Sequence, residues 1–194
     1  GMPGFVTAGT GMDALSHCLE AYCSPHYHPM SHGIALEGMR LVKDNLLTAF
    51  QNGNNLVARA EMMSAAMMGA TAFQKGLGAM HALAHPLGAV HNTHHGTTNA
   101  VVMQAVLRFN RPVIEEKIEM AARYMGIEGG FDGFHDFVGM MNSTLGIPEN
   151  LTALGVHDPD IDALVASALA DPSVGGNPVE MTTENTRALL ESCL

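Results

Sequence analysis

At 194 residues, with 47% hydrophobic and 14% charged side chains, the chain is long and apolar enough to bury a core, which excludes a disordered segment. A net charge of -10 excludes the basic face that phosphate-backbone binding requires, and no apolar run approaches the roughly 18 residues of a membrane span. Cys18, Cys23 and Cys193 form no CxxC spacing, which argues against a disulfide framework or a thiolate metal site and favours a reducing cytoplasm.

Gly1-Met2 reads as a cloning remnant before a start methionine, with no signal peptide after it. Residues 10–23 then carry Met12, Leu15, Leu19 and Tyr22 at helical spacing, with Thr10 in an N-cap position. A second helix is expected over 31–50, ended by the QNGNN turn at 51–55. The third, 56–74, is rich in Ala and Met, and its small residues would let neighbouring helices approach closely. Further helices are expected at 98–109, 112–125, 131–145, 158–170 and 182–192. Gly126, GIPEN at 146–150 and DPSVGGNP at 171–178 mark breaks, and Thr182-Thr183-Glu184 reads as a helix start. No segment alternates with period two and no repeat is present. The expected fold class is all-α, a single bundle-like domain over residues 1–194. The 15 methionines, gathered around 62–68, 120–141 and the first two helices, are expected to fill the core.

The chemistry concentrates in two segments. Asp13 and His17 in GMDALSHCLEAY are four apart and share one helix face. HALAHPLGAVHNTHHG holds five histidines, at 81, 85, 91, 94 and 95. His81 and His85 repeat the four-residue spacing in apolar surroundings, where an unpaired imidazole would cost free energy. Pro86 is expected to distort or bound that helix, and Gly96 after His95 permits a tight approach of backbone to ligand or substrate. One carboxylate with several imidazoles suits Fe(II), Zn(II) or Ni(II) and is poor for Mg or Ca.

Spacing leaves the ligand choice open. His81 and His85 could chelate as a pair, or His81 could join His95 while His85 serves as a base beside the metal. An HExxH zinc hydrolase is disfavoured because position 82 is Ala, so the glutamate base is missing. His26, His28, His32, His91 and His94 are expected to be solvent-exposed or locally hydrogen-bonded. Gly9-Thr-Gly11-Met-Asp-Ala14 matches GxGxxA, but the dinucleotide fingerprint works only after a strand in a βαβ unit, and the eight preceding residues supply none. Neither GxxxxGK[ST] nor GxSxG occurs.

GMDALSHCLEAY followed by GLGAMHALAHPLGAVHNTHHGTTNAVVMQAVLRFN resembles the iron-containing (group III) alcohol dehydrogenases, and the likeness runs on through LGIP and ALADPSVGGNP to the closing helix. The resemblance implies the dehydroquinate synthase-like, all-helical C-terminal domain of that family, without the N-terminal dinucleotide-binding α/β domain; no GGGS-type pyrophosphate loop occurs in the 194 residues. It carries the metal ligands over to Asp13, His17, His81 and His95, with Fe(II) the usual metal and Zn or Ni as alternatives. His85 matches the family's histidine beside the substrate and is the implied catalytic proton relay. The implied reaction is oxidation of a small alcohol, or reduction of an aldehyde, with the metal polarising the alcohol oxygen for hydride transfer to NAD(P). His94, Gln104 and His32 depart from residues common in the family and leave the subfamily open. The other class of function is a non-catalytic metal-binding or self-associating remnant. Loss of a covering domain would expose apolar surface, so a homo-oligomer is expected, with a separate nucleotide-binding domain as a further partner.

Overall fold

A computed structural model describes residues 2–194; Gly1, read above as part of a remnant, lies outside the described residues. Among the described residues the chain forms nine α-helices, two short 3-10 turns and no strand. None of these helices is long and apolar enough to cross a membrane.

Helix α1 (Gly4–Cys23) is the central element, packed against α2 (Pro29–Gln51), α3 (Leu56–Ala72) and α5 (His95–Met125). It begins about two turns before the expected start, and from Thr7 onward Ala8, Gly9 and Gly11 are buried between neighbouring helices. Thr10 is therefore no cap; its hydroxyl donates back to the Val6 carbonyl at 2.7 Å. Met12, Leu15, Leu19 and Tyr22 are all buried, as their spacing implies, and each such side chain contributes about 1.5–3 kcal/mol of hydrophobic stabilisation.

Burial leaves the last carbonyls of α1 without water, and its own sequence supplies no Lys or Arg to meet them. Two lysines from elsewhere do so. Lys75, in the 3-10 turn Phe73–Lys75, donates to the Ala21 and Tyr22 carbonyls at 3.0 and 3.1 Å. Lys117 on α5 donates to those of Cys23 and Ser24 at 3.0 and 3.2 Å. Burial lowers the Lys75 pKa to about 8, and His32 Nε2 lies 2.6 Å from its Nζ.

Helix α4 (Ala79–His91) continues through Pro86, and α5 continues through Pro112, so the two helices expected over 98–109 and 112–125 are one. Each proline removes one backbone donor, but buried apolar residues on both sides, Leu83 with Leu87 and Val106 with Ile114, hold the helix together. Next come α6 (Gly130–Leu145), a single turn α7 (Leu151–Leu154) that periodicity does not reveal, and α8 (Ile161–Ala170). The DPSVGGNP break becomes a second 3-10 turn, Pro172–Gly176. Helix α9 (Thr183–Glu191) opens on a capping box of Thr182 and Asn185.

The methionines divide. Met12, Met39, Met80, Met103 and Met141 fill the core, but Met63 and Met67 point outward with Leu56. Helical spacing decides this: α3 turns Ala58, Ala65 and Ala72 inward, so the run at 62–68 cannot be wholly buried.

Candidate metal centre

Three helices meet at one point, and each contributes two or more side chains from a single face. Asp13, His17 and Glu20 lie along α1, His81 and His85 along α4, and His95 and Asn99 along α5. The crossing of α1 and α5 depends on Gly96. A Cβ there would collide with the Gly9 carbonyl oxygen and sit 2.9 Å from Asp13 Cβ. The tight approach expected at Gly96 is thus to the backbone of α1, and it seats His95 beside Asp13.

One ligand atom from each of Asp13, His17, His81 and His95 lies within 4.8 Å of all the others. Asp13 Oδ1 is 3.4 Å from His95 Nε2 and 3.8 Å from His81 Nε2, while Asp13 Oδ2 is 3.9 Å from His17 Nε2. The His17 and His81 rings stack at 4.8 Å between centroids, and the Phe73 ring closes the other side of His17 at 5.1 Å.

A tetrahedral ion with bonds of about 2.0–2.2 Å holds its ligand atoms roughly 3.3–3.6 Å apart; the Asp13–His95 pair meets this, and the remaining pairs, at 3.8 Å and up to 4.8 Å, would draw inward. Burial pushes the His17 imidazole below its usual pKa; the Asp13 charge works the other way, and the neighbouring His81 and His95 reinforce the lowering. Burial likewise lowers His95, against the Asp13 charge and with the help of the surrounding histidines. Imidazoles kept neutral present lone pairs, as a metal site requires. The donor set and its geometry therefore fit a borderline divalent ion.

Glu20 is one residue that sequence reasoning misses. Its buried carboxylate accepts from His81 Nδ1 at 2.7 Å, from the Gly78 amide at 2.9 Å and from the Met80 amide at 2.6 Å. Two of these donors are orphan N–H groups at the start of α4, where the helix dipole also favours an anion. With its Nδ1 hydrogen committed to Glu20, His81, only 1% exposed, must present Nε2 to the centre. The signal was in the sequence: a carboxylate inside the apolar run CLEAY, seven residues after Asp13 on the same face.

His85 is close by but outside this group. Its side chain is 43% exposed, and its Nδ1 lies 2.7 Å from Asp171 Oδ2. Its ring stacks on that of His95 at 5.3 Å. Burial works against the Asp171 carboxylate, but hydrogen bonds from Ser173 and His85 outweigh it and hold its pKa below the usual range. Asp171 also caps the second 3-10 turn by accepting from the Ser173 amide at 2.8 Å. That break segment gives no sign in the sequence that it carries a partner for His85.

His94 is the N-cap of α5 and accepts from the Thr97 amide, and His28 caps α2 in the same way. His32 is bound to Lys75. His28 and His94 thus do the local hydrogen bonding expected of them, whereas the partner of His32 lies 43 residues away in sequence.

The model of the Fe-containing alcohol dehydrogenase family, C-terminal, matches residues 7–194. The chain is 40% identical to 4-hydroxybutyrate dehydrogenase of Cupriavidus necator, an alignment that covers 100% of this chain and 53% of that protein. It is 36% identical to 1,3-propanediol dehydrogenase of Citrobacter freundii, over 92% of this chain and 48% of the relative. A crystal structure of 1,3-propanediol oxidoreductase superposes with a TM-score of 0.95 at 34% identity, over 100% of this chain and 53% of that one. The chain spans about half the length of the curated relatives it matches.

Proposed function

Because the chain belongs to the iron-containing alcohol dehydrogenase family, and matches the family's C-terminal domain, we propose that it is the metal- and substrate-binding half of an NAD(P)-dependent alcohol dehydrogenase. The observation that carries this reading is the convergence of Asp13, His17, His81 and His95 within 4.8 Å. When bound there, Fe(II), or Zn(II) or Ni(II) in its place, supplies Lewis acidity toward the oxygen of a small alcohol or aldehyde, while NAD(P) exchanges the hydride.

The residues of the chain divide the remaining work. Asp13 brings the negative charge that offsets part of an ion's positive charge, and the three imidazoles hold the ion by neutral nitrogen. Glu20 fixes which nitrogen of His81 faces inward. Phe73 keeps one side of the centre apolar. His85 stands at the solvent edge, with Nδ1 held by Asp171; its other ring nitrogen is free to take the substrate hydroxyl proton and pass it outward. Hydride transfer also requires a nicotinamide cofactor. No GGGS-type loop occurs within these residues, and cofactor binding is assigned to an α/β nucleotide-binding domain outside them. The relatives and the structure named above are a 4-hydroxybutyrate dehydrogenase, a 1,3-propanediol dehydrogenase and a 1,3-propanediol oxidoreductase, and the proposal extends to the class of small alcohols and aldehydes.

Metal analysis of the purified chain and three variants tests the ligand set. His81→Ala and His95→Ala are expected to lose most bound metal, whereas His85→Ala retains it. Equal loss in all three would place His85 among the ligands and overturn the division of roles.

A further inference from the structure

Asn99 lies one helical turn beyond His95 on α5 and is 0% exposed. Its amide nitrogen Nδ2 is 2.8 Å from Asp13 Oδ1, and 3.2 Å from both His81 Nε2 and His95 Nε2. Three of the four proposed ligand atoms thus converge on one uncharged donor. The orientation of the amide is decided by chemistry: turned over, Oδ1 would face the Asp13 carboxylate, acceptor against acceptor. On its far side Oδ1 is buried without a hydrogen-bond partner. Native interiors avoid such an atom unless another demand fixes the group. Glu20 defines what His81 offers at this point, since it takes the Nδ1 hydrogen and leaves a lone pair on Nε2.

We infer that Asn99 is the positioning residue of the metal centre. One N–H donates to Asp13 Oδ1 and the other is shared between the His81 and His95 Nε2 atoms, which lie at equal distance. Three mutually repelling acceptors are thereby kept turned toward one point. Once an ion is held, the bond to Asp13 keeps that carboxylate turned toward the imidazoles. The orphaned Oδ1 is the structural cost of pointing the nitrogen inward. This inference rests on the reading of Asp13, His17, His81 and His95 as ligands.

Cobalt titration of the 194-residue chain tests it, with Co(II) affinity and the visible d–d spectrum as readouts. Asn99→Ala is expected to weaken Co(II) binding roughly 10- to 100-fold, the range typical of groups that orient metal ligands, and to alter the d–d bands. Asn99→Ser, which keeps an O–H donor, should recover part of that loss. A purely structural role predicts a different result: a lower melting temperature without metal, but affinity within twofold of wild type and an unchanged spectrum. That result would overturn the inference alone. A wild-type chain that binds no Co(II) would overturn the ligand reading and this inference with it. Should Asn99→Ala fail to fold, side-chain amide NMR of the wild type decides the matter. A buried asparagine NH2 pair is expected to shift on addition of Zn(II), and asparagine signals that all stay in place would overturn the inference.

Discussion

At the scale of single residues, the centre is defined as much by what holds the donors as by the donors. Glu20 closes three N–H groups that have no other partner, one on His81 and two at the start of α4. Glu20→Ala leaves all three buried and unpaired and is expected to cost roughly 3–5 kcal/mol of stability, read as a lower urea midpoint of the metal-free chain. Glu20→Gln keeps an acceptor and should fold, yet hold metal less tightly by roughly 10- to 100-fold. The donors were legible in the sequence because imidazoles at four-residue spacing in an apolar segment ask for a partner. Which histidines belong together was not legible from spacing, since His81 and His85 share a face and only the tertiary fold sends one to Asp13 and the other to Asp171. Glu20, Asn99 and Asp171 escaped notice for a related reason. Their roles exist only where separate segments meet, and of the three only Glu20 leaves a local sign, a carboxylate inside an apolar run.

At the scale of elements, periodicity located most of the helices and misjudged where they stop. Thr10 and Pro112 both looked like boundaries, and both lie inside helices that tertiary burial extends past them. The crossing of α1 and α5 turns on Gly96, where an added methyl would meet the Gly9 carbonyl. Gly96→Ala is expected to destabilise the chain by about 1–3 kcal/mol through overpacking and to weaken metal retention by moving His95 from Asp13. Gly88→Ala on α4 is the matched comparison: its Cβ would find only the Thr93 carbonyl at an ordinary 3.7 Å. There the gain in helix propensity, up to about 1 kcal/mol, should hold or raise the melting temperature. Thermal denaturation of the two variants side by side checks the contrast in sign.

At the scale of the whole molecule, α3 carries an outward stripe of Leu56, Met63 and Met67, each more than half exposed. Large exposed apolar surfaces are normally covered, and the homo-oligomer expected from the sequence would bury this stripe. Sedimentation velocity should show the wild-type chain self-associating and a Met63→Lys, Met67→Lys double variant shifted toward monomer; identical profiles would assign that face another role. The two lysines that close the end of α1 have a consequence in time. Lys75 and Lys117 come 54 and 94 residues after the carbonyls of Ala21 and Cys23 that they satisfy, and His95 also lies far downstream of Asp13. A nascent chain that has made α1 cannot yet secure it or form the donor set. Of the 194 residues, the proposed donor set needs the first 95 and the closure of α1 the first 117, so both are complete before α6 to α9 have been made.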